Sequence, residues 1–106
     1  MEYERLLDNF YGSMSSLLFE IETYEKFIRE FEKYRSIKWK TKVGKEIKIS
    51  DLTNSHLDNI INFINNKSPE WIKILNYEKQ YRKYKKKLPS LIEEYNYYQD
   101  IMYNCL

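Results

Sequence analysis

The chain has 106 residues, 42% of them hydrophobic and 32% charged, with a formal net charge of +2. That length suits one domain around one core, and the composition is too apolar for a disordered chain and too charged for a membrane span. A balance this close to neutral gives no global argument for nucleic acid, so only the local arrangement of charge can carry one.

Two Gly and two Pro in the whole chain suit long helices better than a turn-rich sandwich. In the first third, Leu7, Phe10, Met14, Leu17, Ile21, Tyr24, Ile28 and Phe31 step by three and four residues, a heptad seam that predicts a helix over about 3–35. Leu6, Leu18 and Phe27 widen the stripe, so this helix is expected to pack against more than one neighbour. Gly12, Ser13, Ser15 and Ser16 interrupt the good helix formers. They either let the helix bend or let another backbone approach closely.

Residues 37–49 alternate apolar and charged on both sides of Gly44, the period of a β-hairpin. A two-residue Val43-Gly44 loop would set Trp39 opposite Lys48 and mix the faces. A three-residue loop, Lys42-Val43-Gly44, instead pairs Trp39 with Ile47, Ile37 with Ile49 and Lys40 with Glu46. It puts Gly44 at the left-handed position and leaves one face apolar, the other charged.

Thr53 is placed to cap a short helix over about 54–65, with Leu52 and Leu57 as its hydrophobic staple and Leu57, Ile60, Ile61 and Ile64 as its buried stripe. Asn65-Asn66-Lys67 ends it. Ser68-Pro69-Glu70 starts the last helix with a cap, a proline at the first position and an acidic first turn. This helix, about 69–103, carries a second seam: Ile74, Tyr77, Tyr81, Tyr84, Leu88, Leu91, Tyr95, Tyr98 and Met102. Pro89 lies inside it, and the unbroken phase favours a kink over a restart at the Ser90–Glu93 capping box.

The expected fold is therefore mainly α with a small β-hairpin: long helix, hairpin, short helix and long Pro-kinked helix, packed as an antiparallel helical bundle in one domain. In such a pair the run Lys79, Arg82, Lys83, Lys85, Lys86, Lys87 would face Glu20, Glu22 and Glu25. A core this small gains from further burial, so a homo-oligomer is expected.

No phosphate loop, nucleophile motif or metal-ligand spacing occurs, and the single Cys105 has no partner for an intrachain disulfide. The expectation is a non-enzymatic protein with no cofactor and no catalytic or metal site. His56, the one histidine, has no evident acid-base partner and reads as a first-turn helix residue bonding to nearby backbone. Two basic segments with aromatic neighbours remain, the hairpin from Arg35 to Lys48 and the helix from Lys79 to Lys87. Together they give the candidate ligand-binding set Lys38, Trp39, Lys40, Lys42, Lys45, Tyr77, Arg82 and Lys86, in which rings stack on bases and lysines hold phosphates. The competing reading makes Tyr81 and Tyr84 core seam and the lysines a solvated face. Eleven tyrosines exceed what so small a core can absorb, which marks Tyr95, Tyr97, Tyr98 and Tyr103 as a candidate contact surface.

Within 39–61 the pattern Trp39-x-Thr41-x-x-Gly44-x-x-Ile47-x-Ile49-x-Asp51-Leu52-Thr53-x-x-His56-Leu57-x-Asn59-x-Ile61 resembles a motif of small uncharacterised phage and prophage proteins, with Val43 where those often have Asp and Leu52 where Met is common. The resemblance implies a genomic setting, the cytoplasm of an infected or lysogenic bacterial host, and a role against host defence. Its leading form is a sponge that sequesters a nucleotide immune signal. The alternatives are an inhibitor that blocks a defence effector such as a CRISPR nuclease, and a small nucleic-acid-binding protein.

Overall fold

A computed structural model gives the fold; it describes the backbone of residues 2–105 and the side chains of 8, 9 and 11–104. The expected seam contributions of Leu6, Leu7 and Phe10, and the side chain of Cys105, lie outside the described residues. The elements are α1 (Glu2–Glu32), β1 (Lys38–Lys40), β2 (Glu46–Lys48), a short 3-10 helix (Ile49–Asp51), α2 (Asn54–Ile64) and α3 (Pro69–Cys105). The protein is mainly helical, as the heptad seams require. Among the described residues no helix is long and apolar enough to cross a membrane.

Contacts group the chain into two compact units, Met1–Lys26 with Lys85–Leu106, and Phe27–Tyr84. In the first, α1 and α3 run antiparallel and meet along their seams. Leu17, Ile21 and Leu91 are buried there, with Tyr24, Leu88, Tyr95 and Tyr98 packed around them. Of the acidic partners expected for the lysine run, Glu20 is one that forms: its carboxylate lies 3.7 Å from the Lys87 ammonium. Lys87 also sits over the Tyr24 ring, and the hydrogen bonding and charge of Tyr24, followed by those of Glu20, raise its pKa. Lys79 and Arg82 turn elsewhere, to Asp58 and Glu78. They belong to the other unit, where these carboxylates are within reach.

α3 passes through Pro89 without a break, so the capping box does not restart it; the Ser90 hydroxyl donates to the Lys87 carbonyl instead. Proline in a helix interior costs about 3 kcal/mol relative to alanine, because one ladder bond is missing and the ring crowds the preceding turn. Pro89 is exposed, so nothing is gained from packing in return. Pro89→Ala is expected to stabilise the protein by about 1–3 kcal/mol, read as a rise in urea midpoint; an unchanged or lower midpoint would mean that the proline ring is better accommodated than the helical ladder suggests.

The second unit holds the hairpin, the 3-10 helix and α2 against the adjoining parts of α1 and α3. Trp39 pairs with Ile47 and Lys40 with Glu46, the register expected from the three-residue loop. Gly44 adopts φ +85°, and its amide donates to the Thr41 carbonyl to close the turn. The apolar face of the hairpin packs on a core of Ile49, Leu52, Leu57, Ile60, Ile64 and Leu75, with Trp39 edge-on to Trp71 at 5.0 Å. Burying a side chain such as Leu57 or Leu75 contributes about 1.5–3 kcal/mol. The Thr53 hydroxyl accepts from the His56 amide, and Leu52 and Leu57 are both buried, so cap and staple start α2 together. Asn66 at φ 68° takes the left-handed position that ends it.

α1 stops at Glu32, three residues before the expected end, because the amides of Tyr34 and Arg35 turn back to the carbonyls of Phe31 and Glu32. A stacked aromatic row joins the two long helices within this unit. Phe27 meets Phe31 and Tyr84, and Tyr77 meets Phe31 at 4.6 Å and Tyr34 at 5.1 Å.

Candidate functional site

The hairpin and α2 border an open hollow of about 400 Å³ lined by Trp39, Lys40, Thr41, Lys42, His56 and Phe63. Its parts follow from local structure. The alternation of β1 turns Trp39 toward the core, where Trp71 fixes its ring, and sends Lys40 to the solvent face. The tight turn then brings Thr41 and Lys42 back over the hollow. On α2, His56 and Phe63 are seven residues apart and therefore share a face. Phe63 is 66% exposed, too much for a core residue, and the Lys67 ammonium stands 4.7 Å from its ring centroid.

Three members of the candidate set, Trp39, Lys40 and Lys42, thus come together. The others do not join them. Lys38 lies on the charged face of the hairpin, 3.9 Å from Glu46, and directly opposite Lys48. Lys45 is exposed, and its backbone amide donates to the Thr41 hydroxyl. Tyr77 belongs to the aromatic row. Lys86 is exposed in the other unit.

Arg82 is engaged inside the fold. Its Nε donates to Glu78 at 3.2 Å, one terminal nitrogen to Asn54 Oδ1 at 2.7 Å, and the other to the carbonyls of Ile49 at 3.2 Å and Leu52 at 2.6 Å. Glu78 also accepts from Arg35 Nε through both carboxylate oxygens, at 2.9 and 3.0 Å. The Arg35 guanidinium lies 4.1 Å from the Tyr81 ring centroid. Burial acts to lower the pKa of Arg35, but the hydrogen bond and charge of Glu78, with Tyr81 and Glu32, outweigh it and hold the pKa above its ordinary value. Burial first, then a hydrogen bond to Glu32, raises the Tyr81 phenol against the opposing charge of Arg35. This cluster joins the 3-10 helix and the start of α2 to α3.

Phe63 as a lining residue is not apparent from the sequence, which favours a structural role for His56 over an acid-base one. The His56 amide does serve the Thr53 cap, while its ring lines the hollow. The available signal was Phe63 itself, an aromatic residue off the buried stripe of α2 and in phase with His56.

Compared with known protein families, curated proteins and solved structures, the chain matches none.

Proposed function

We propose that this is a non-enzymatic binding protein that captures a nucleotide in the hollow between the hairpin and α2. In the phage setting implied by the motif at 39–61, the nucleotide would be an immune signal withheld from a host effector. The carrying observation is the juxtaposition of two aromatic side chains, Trp39 and Phe63, with Lys40, Lys42 and His56 around one concavity. Rings supply a sequence-tolerant platform for a base, and the adjacent cations suit its phosphate.

The test is isothermal titration with a panel of linear and cyclic adenine and guanine nucleotides. Phe63 is exposed, so Phe63→Ala should keep the fold and weaken capture about tenfold, the loss of one stacked ring. The double variant Lys40→Glu with Lys42→Glu should weaken it about 100-fold or more, since each charge-assisted contact contributes about 1.5–3 kcal/mol. Tight nucleotide binding untouched by these changes would remove the hollow from consideration. A second reading, binding of a nucleic-acid strand, is favoured by the row Lys38, Lys40 and Lys48 on the exposed hairpin face. Affinity for oligonucleotides falling steeply with salt, with no capture of single nucleotides, would establish it instead.

A further inference from the structure

We propose that a second copy of this chain covers one side of the two-helix unit, completing a four-helix bundle. The seam between α1 and α3 in this unit buries Leu17, Ile21 and Leu91, yet the residue after a seam position on each helix is also apolar. Leu18 follows Leu17, and Ile92 follows Leu91. One helical step past the seam points to the same side on two antiparallel helices, because reversing the axis and reversing the facing direction cancel. Tyr11 shares the phase of Leu18, and Tyr103 that of Ile92. One side of the unit thus exposes Tyr11, Leu18, Ile92 and Tyr103, the last 85% accessible. A hollow of about 390 Å³ lined by Met14, Gln99, Asp100, Met102 and Tyr103 lies on that side and bridges both helices.

Charge selects the occupant. The contacts of Lys87 with Glu20 and Tyr24 fix the levels of the two helices, so Glu25 and Lys85 lie at one end of this side and Tyr11 and Tyr103 at the other. A two-fold axis parallel to the helices lays α1 of each copy over α3 of the other at the same level. Leu18 then meets Ile92 of the second copy, and Glu25 meets its Lys85, each twice by symmetry. The surface is complementary to itself in that arrangement. An axis perpendicular to the helices would instead bring the charged end onto the tyrosines.

Light scattering after size exclusion should give twice the 13.2 kDa chain mass. Leu18→Lys should yield monomers that keep their helical circular dichroism, while Phe19→Lys, an exposed position outside this stripe, should leave the dimer intact. Glu25→Lys and Lys85→Glu should each weaken self-association about tenfold or more, since each brings like charges together across the two-fold. Mixing these two variants should restore the dimer, because each opposite-charge pair is then re-formed between copies, a rescue that pairing within one chain cannot give. A monomeric parent protein, dissociation by Phe19→Lys but not Leu18→Lys, or failure of the mixture to dimerise would each overturn the proposal.

Discussion

Glu78→Gln is expected to lower the stability of the hairpin-containing unit by about 3 kcal/mol, close to the low end of what removing one partner from a buried ion cluster costs. Glu78 is 2% exposed and accepts from Arg35 through both oxygens and from Arg82 through one. Glutamine keeps the shape but has a single acceptor oxygen, so its amide nitrogen would confront a donor. Two guanidinium groups would also share the space without a counter-charge. The arginine side chains retain 26% and 23% exposure, so water relieves part of that repulsion and keeps the figure low in the range. Both tryptophans of the chain, Trp39 and Trp71, report on this unit. Urea unfolding followed by their fluorescence should show a lower midpoint at unchanged slope. Against a typical total of about 5–15 kcal/mol, such a loss is easily read. An unaltered midpoint would mean that the cluster contributes nothing net, the carboxylate's desolvation having cancelled its attraction.

The hairpin register was readable in the sequence because period-two alternation and one glycine leave a single consistent loop length. The starts of α2 and α3 were equally legible, since Thr53 and Ser68-Pro69 carry capping chemistry that acts within four residues. The ion cluster was not, because it rests on a contact across 43 residues between Arg35 and Glu78. Nothing local distinguishes Glu78 from the solvated acids around it except that it follows buried Leu75 by one turn and precedes Arg82 by another. The expected pairing of the basic run with Glu20, Glu22 and Glu25 treated α3 as one uniform face. α2 supplies Asp58 to Lys79, and the junction after the hairpin supplies carbonyls to Arg82. The hollow was half legible: β periodicity gave Trp39, Lys40 and Lys42, while their meeting with Phe63 depends on how α2 docks, which periodicity does not encode.

Arg82→Lys separates the two roles that sequence and structure assign to this residue. As a ligand group holding a phosphate by charge alone, a lysine would serve nearly as well, since it offers the same point charge. As an internal brace it would not. Arg82 spreads three nitrogens over Glu78, Asn54 and the carbonyls of Ile49 and Leu52, and a single ammonium cannot span that fan. The Leu52 carbonyl, next to the Thr53 cap, and the Ile49 carbonyl, on a fully buried residue, would lose their shared donor. At roughly 1–1.5 kcal/mol for each lost bond, a cost of about 2–4 kcal/mol is expected, again read by tryptophan fluorescence in urea. Nucleotide capture per folded molecule should stay unchanged. Weakened capture at undiminished stability would return Arg82 to the binding surface and overturn its assignment to the cluster. Combined with Glu78→Gln, the loss should fall short of additive, because both changes empty the same hydrogen-bond network.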